Sequence, residues 1–120
     1  MSRSLLVKVT VGEADPERCN QAFTVAAAGV AAGVPVSLWL TGEAAWFAVP
    51  GRAEAFSLPH ATPLATLLDL VRDAGQVTLC SQCAARRDIG AEDVLDGVRT
   101  AGAAVFVEES LVDGAQALVY

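Results

Sequence analysis

Residues 5–11, Leu5-Leu6-Val7-Lys8-Val9-Thr10-Val11, form an almost unbroken apolar run, the pattern of a strand buried on both faces. Gly12-Glu13-Ala14 reads as a turn. Asp15-Pro16-Glu17 then predicts a helix start, with an N-cap, a proline at the first helical position and an acid in the first turn. Behind it Cys19, Ala22, Phe23, Ala26, Ala27 and Val30 recur at helical spacing. Gly33 supplies a left-handed stop, with Pro35 just beyond it. Val36–Leu40 predicts a second strand. Residues 42–50 predict a short helix holding Trp46 and Phe47, and residues 51–59 a loop. Thr62-Pro63 opens the next helix, whose Leu64, Leu67, Leu68 and Val71 share one stripe and which stops at Gly75. Gln76–Cys80 predicts the third strand, and residues 82–87 a short helix.

In the last quarter, Ile89 and Val94 predict a hydrophobic staple about an N-cap at Gly90, with Glu92 and Asp93 in the first turn. That helix is expected to run to about Ala101 and stop at Gly102. Residues 103–107 predict a fourth strand, residues 110–114 a loop and residues 116–120 a fifth strand. The order β-α-β-α-β-α-β-β implies a mostly parallel sheet with helices on both faces. Ligands of such sheets collect beyond the C-terminal strand ends, where Gly12, Thr41 and Cys80 are expected.

A chain of 120 residues supports one hydrophobic core, so residues 1–120 are expected to form a single domain. It is 53% hydrophobic and only 18% charged, an apolar excess that points to a covered subunit interface and hence a homo-oligomer. The net charge of -6 leaves no basic stripe to neutralise phosphates, which argues against a nucleic-acid partner. Three cysteines do not make a secreted disulfide framework. Residues 5–11 are too short for a secretory leader and carry Lys8. Residues 19–42 contain no charge, but Gly33-Val34-Pro35 interrupts them, so they read as helix, turn and strand rather than a membrane span. A soluble, cytoplasmic protein is expected. Neither GxGxxG nor GxxxxGK[ST] occurs, and no cofactor is expected.

The candidate chemistry lies in Cys80-Ser81-Gln82-Cys83, where a strand gives way to a helix. A cysteine at such a junction sits near unpaired backbone N–H groups and the positive end of the helix dipole, which favours thiolate over thiol. The motif has four readings. A zinc site needs four ligands, and only Cys19, Cys80, Cys83 and His60 are soft candidates. A thioredoxin-type dithiol is the second reading, although every proline lies at or before Pro63 and the motif follows the third strand. A persulfide carrier is the third: one thiolate takes a sulfane sulfur and its neighbour releases it. The fourth is two small side chains packed at a strand end. Arg86 and Arg87 complement a helix C-terminus or hold an anionic sulfur species. Glu13 is a weaker site candidate at the ligand edge. Cys19 reads as core and His60 as solvent-facing. Trp46 and Phe47 read as core or interface. Lys8 is odd in a buried strand; it reaches out at the sheet end or pairs with an acid across an interface.

Taken together, these residues resemble the DsrE family of DsrE/DsrF-like sulfur-relay proteins and their uncharacterised relatives. The likeness spans nearly the whole chain. Residues 10–18, Thr10-Val11-Gly12-Glu13-Ala14-Asp15-Pro16-Glu17-Arg18, are similar to that family's strand-turn-helix opening, and residues 42–64 to its middle loop. Its most specific part is Cys80-Ser81-Gln82-Cys83-Ala84-Ala85-Arg86-Arg87 with Ile89, then residues 92–97. The family's sulfur-carrying cysteine falls six residues before the first arginine, which is Cys80 here. The resemblance implies a three-layer α/β/α sandwich with a five-stranded, mainly parallel sheet, assembled as trimers or hexamers. It also implies sulfur transfer between protein thiols, with sulfur donor and acceptor proteins as partners. Cys80 would be the nucleophile of a sulfurtransferase-like carrier, Cys83 its resolving partner, and Arg86 and Glu13 substrate contacts. The alternatives are a non-catalytic binding or assembly module with structural cysteines, and a CxxC dithiol oxidoreductase. Two positions depart from the family pattern. Cys83 is an additional cysteine typical of its CxxC branch, and Asp88 stands where glycine is frequent, a site whose left-handed turn aspartate tolerates.

Overall fold

A computed structural model describes residues 2–120, and its frame is set by the apolar runs. Strands β1 (Ser4–Val9), β2 (Val36–Leu40), β3 (Gln76–Cys80), β4 (Val98–Ala101) and β5 (Ala115–Val119) lie side by side in the order β4-β3-β2-β1-β5. Every pairing is parallel. Parallel neighbours cannot be joined by a hairpin, so a helix crosses over between strands. These are α1 (Pro16–Ala31), the one-turn α2 (Arg52–Ala55), α3 (Leu64–Ala74), α4 (Ser81–Arg86) and α5 (Ala103–Ser110), with 3-10 turns at Gly42–Ala48 and Ala91–Asp93. The result is the expected three-layer α/β/α arrangement.

Alternation along the strands divides the sheet chemically. Val7, Val9, Leu38, Leu40, Val77 and Leu79 are fully buried beneath α1 and α3. Helix α1 approaches closely because its buried stripe is mostly small: Cys19, Ala22, Ala26 and Ala27 around a single Phe23. Gly29 serves the same approach, since a Cβ there would stand 2.9 Å from Val36 Cγ2. Phe23 meets Phe47 edge-on at 5.8 Å, which ties α1 to the 3-10 turn after β2. Asp15 takes the N-cap position of α1 without a side-chain capping bond; its carboxylate pairs with Arg18 at 3.5 Å instead.

The opposite face carries the row Lys8, Trp39, Thr78 and Arg99, in register across four strands. Helix α5 covers it, and no residue of α5 is buried. The helix is held largely by polar contacts. Glu109 accepts hydrogen bonds from Ser37 Oγ at 2.7 Å and Trp39 Nε1 at 3.1 Å, and pairs with Arg99. Arg99 Nε in turn donates to Thr78 Oγ1 at 2.7 Å. Burial pushes the Glu109 carboxyl up, but the bonds from Ser37, Arg99 and Trp39 and the Arg99 charge outweigh it, so it lies below the ordinary 4.5. A carboxyl depressed on folding contributes stability above its unfolded value and loses it as pH falls through the folded one. Wild-type protein is therefore expected to be more stable than Glu109→Gln at pH 7. That advantage should begin to shrink as pH falls below the ordinary 4.5 and be lost once it passes the lower folded value, as read from denaturant midpoints of both proteins.

The last third differs from the sequence expectation. The predicted helix up to Ala101 is a 3-10 turn followed by strand β4, and the predicted strand over residues 103–107 is helix α5. Gly97, at φ 84°, breaks any helix at that point. Val98 and Thr100 then pair with Val77 and Leu79. Since β5 adds beside β1, on the far side of the sheet from β4, the chain needs a crossover there, and the apolar run 103–107 becomes its helix. At Gly90 only the start of the predicted helix survives: Asp93 accepts the Gly90 N–H at 3.0 Å. Asp88 does adopt the left-handed turn, at φ 53°.

Candidate active site

Strand β3 delivers Cys80 to the C-terminal edge of the sheet, and α4 begins at the next residue. The Cys80 sulfur caps this helix, accepting the Cys83 N–H at 3.4 Å. One turn on, Cys83 points back beneath the 3-10 turn and is 7% exposed. Its sulfur accepts the Gly42 N–H at 3.2 Å. Gly42 reaches that position at φ 53° while lying against the Thr10 carbonyl. Burial raises the Cys83 thiol, hydrogen bonding to Cys80 raises it further, and the Gly42 N–H and the Arg87 charge offset part of this. Two thiols thus sit together with unlike surroundings, the first half-buried and the second enclosed.

Cys80 opens into a cleft of about 560 Å³. Lys8 and Trp39 contribute from the strands, Thr41 from the residue just past β2, and Phe106 and Val107 from α5. Phe106 packs edge-on against Trp39, with centroids 5.3 Å apart, and Lys8 Nζ stands 5.0 Å from the centre of the Phe106 ring. The polar clasp at Glu109 therefore holds one wall of the thiol cleft.

The proposed substrate contacts lie elsewhere. Arg86 is exposed on α4 and does not line this cleft. Glu13 lines a separate groove of about 410 Å³ with Glu43 and Arg52. Arg87, rather than Arg86, supports the cysteines: its guanidinium bonds Glu43 at 2.7 and 2.9 Å and the Cys83 carbonyl at 3.1 Å. This fastens α4 to the 3-10 turn that carries Gly42. His60 is exposed, at φ 61°, on another groove. The four soft ligands considered for zinc do not converge, and no metal-binding cluster of three or more His, Cys, Asp or Glu occurs among the described residues.

Cys19 is fully buried, as expected of a core cysteine. Burial, with Asp15 and Glu13 adding repulsion, pushes its thiol from 9.0 to about 12. Of the three thiols, Cys19 is expected to resist iodoacetamide in the native protein and to react only after unfolding, as peptide mass mapping will record. Because the native thiol keeps its proton when the unfolded one has lost it, Cys19 is also expected to lower stability as pH rises from 9 toward 12.

Lys8, Phe106 and Val107 were not identified as cleft residues from sequence. Lys8 carried a usable signal, since strand alternation sets Lys8 and Thr10 on the face opposite Val7 and Val9. Phe106 and Val107 carry none, because an apolar run as short as 103–107 fits a strand as well as a helix.

The profile of the DsrE/DsrF-like family matches residues 3–114, almost the whole chain. The protein belongs to the DsrE/DsrF-like family. Three solved structures show how well this DsrE-like fold is kept at low identity. The ychN protein from E. coli superposes with a TM-score of 0.82 at 16% identity, covering 98% of this chain and 99% of that one. MTH1491 from Methanobacterium thermoautotrophicum, a protein of unknown function, gives 0.67 at 10% identity over the full length of both chains. BT1422 from Bacteroides thetaiotaomicron, also of unknown function, gives 0.61 at 16% identity, covering 98% and 95%. No curated protein matches this DsrE-like chain. Among the described residues, no helix is long and apolar enough to cross a membrane.

Proposed function

We propose that this DsrE-like protein is a sulfurtransferase-like carrier that holds sulfane sulfur on Cys80 and passes it on in a cytoplasmic sulfur relay. The observation that carries this reading is the Cys80 sulfur at the mouth of a cleft, with the enclosed Cys83 sulfur beside it. In the loading step the Cys80 thiolate attacks the outer sulfur of a persulfide R–S–SH. The new bond gives Cys80–S–SH, and the old S–S bond breaks with its electron pair leaving on R–S⁻. An acceptor thiolate then takes the outer sulfur by the same exchange and restores the Cys80 thiolate. Alternatively Cys83, once deprotonated, attacks the inner sulfur, expels hydrosulfide and leaves a Cys80–Cys83 disulfide that a dithiol reductant reopens.

The same cysteine pair supports a second reading, a dithiol oxidoreductase. One experiment separates the two. Reduced protein is incubated with thiosulfate or with glutathione persulfide, and its intact mass is recorded. Gain of one sulfur atom on Cys80 supports the relay. A reversible Cys80–Cys83 disulfide in the wild type, with no sulfur gain even in Cys83→Ser, where a loaded Cys80 has no partner to discharge it, supports the oxidoreductase. No change, with slow alkylation of both thiols, leaves a binding or assembly module with structural cysteines.

We further propose a trimer or hexamer, with donor and acceptor proteins docking at the cleft. Val107 on α5, Leu111 and Val112 in the turn after it, and Val119 on the edge strand β5 support an assembly surface, since each is half or more exposed. Leu111→Asp is the variant that tests it by sedimentation.

A further inference from the structure

Lys8 is the only lysine in the chain, and it stands in strand β1 between the fully buried Val7 and Val9. Its surroundings are unusual for an ammonium group. Among the described residues it has no ion-pair partner. Glu109, the carboxylate that α5 directs onto this face of the sheet, is already engaged by Arg99, Ser37 and Trp39. What holds Lys8 is the Phe106 ring, 5.0 Å from Nζ, itself braced by Trp39. A ring positions a cation without neutralising it, so the charge stays available to a ligand. Lys8 lines the cleft that Cys80 opens into, and neither an aspartate nor a glutamate lines it. A protein of net charge -6 thus presents one uncompensated cation beside its accessible thiol.

We infer that Lys8 is the anion-recognition residue of the Cys80 cleft, and that the molecule Cys80 attacks is a small anion whose departing group carries the negative charge. The substrate class rests on the relay reading; the charge selection does not. For an inorganic donor of the thiosulfate type, the Cys80 thiolate bonds to the outer sulfur. The S–S bond breaks, its electron pair leaves on sulfite, and the ammonium faces the departing oxyanion. For an organic persulfide bearing a carboxylate, the pair leaves on the thiolate and Lys8 holds the carboxylate. Thr41 at the same wall spends its hydroxyl proton on the Val9 carbonyl at 2.9 Å, which leaves the recognition of either anion to Lys8.

The test compares two alkylating reagents of similar size, iodoacetate and iodoacetamide, at Cys80 of the full chain by peptide mass mapping. Any change in the thiol's own nucleophilicity affects both rates alike, so their ratio isolates recognition of the negative charge. Lys8→Met is expected to lower the iodoacetate-to-iodoacetamide ratio about tenfold, the effect of one unit charge a few ångströms away in a partly solvated cleft. Lys8→Arg is expected to keep the ratio within about twofold, since it keeps the charge. Inorganic sulfate is expected to slow iodoacetate but not iodoacetamide in the wild-type protein, an arm that holds even where a variant fails to fold. An unchanged ratio in Lys8→Met, or no sulfate effect in the wild type, overturns the inference. Sulfur uptake by mass separates the two claims. Charge selection without uptake from thiosulfate or glutathione persulfide keeps Lys8 and removes the relay. Uptake at equal rates in wild type and Lys8→Met keeps the relay and removes Lys8. Loss confined to thiosulfate assigns the inorganic donor, and loss confined to glutathione persulfide the organic one.

Discussion

Cys80→Ser is expected to abolish sulfur uptake, lowering its rate by at least about three orders of magnitude, because a hydroxyl is not ionised near neutral pH and is a far weaker nucleophile toward sulfur. The substitution is nearly isosteric, and serine is itself a good N-cap. The Cys83 N–H that now bonds the Cys80 sulfur keeps an acceptor, and α4 should stay in place. Cys83→Ser divides the reaction differently. Its hydroxyl still accepts the Gly42 N–H, so uptake on Cys80 should persist, whereas release of hydrosulfide through an internal disulfide should cease. Intact mass after loading, with sulfide measured in solution, reads both variants in one experiment. If Cys80→Ser gains sulfur as fast as the wild type, the carrier is a different residue and the proposed function fails.

Gly42→Ala is expected to cost about 2–4 kcal/mol of stability and to loosen Cys83 at the same time. Two effects add at this position. The backbone is left-handed, at φ 53°, which any side chain disfavours, and a Cβ would stand 2.5 Å from the Thr10 carbonyl oxygen. Relief requires the 3-10 turn to withdraw from β1, which draws the Gly42 N–H away from the Cys83 sulfur. Gly51→Ala supplies the control. Its φ of 87° is as unfavourable, but nothing lies within 4 Å of the added carbon, so only the backbone cost of about 1 kcal/mol applies. Denaturant midpoints of the two variants measure the difference. The rate of Cys83 alkylation should rise in Gly42→Ala and stay unchanged in Gly51→Ala. Equal midpoints would mean that the contact with Thr10 relaxes freely and that Cys83 does not depend on this turn.

Much of the architecture is legible in residues 4–80, where the strands and the long helices each announce themselves by more than one signal. The one-turn α2, Arg52–Ala55, falls inside residues 51–59, which read as a loop, because four residues are too few to show a helical period. Helix α1 has a proline start, a helical stripe and a glycine stop, and β2 and β3 are short β-rich runs that each follow a glycine, Gly33 in a left-handed turn and Gly75 in extended backbone. Residues 90–110 lack that agreement. An apolar run of five residues, 103–107, satisfies a strand and a buried helix turn equally well, and periodicity cannot choose between them. The candidate site divides in the same way. Cys80 and Cys83 are close in sequence, so their pairing is visible in the chain itself. Arg87 was harder to separate from Arg86, because the two differ only in which side of α4 they occupy, and Glu43, which distinguishes them, is 44 residues away.

The sequence by itself determined the alternation of strands and helices up to Cys80, the strand-to-helix junction that carries both thiols, and membership of the DsrE/DsrF-like family. These rest on local signals: caps, turns, spacing and a motif within a few residues. Only the tertiary structure decided that residues 98–101 pair with β3 and residues 103–110 cross the sheet, because the addition of β5 beside β1 demands a crossover. It alone set Lys8, Phe106 and Cys80 around one cleft, since strand register and helix docking join residues that nothing in the linear chain connects.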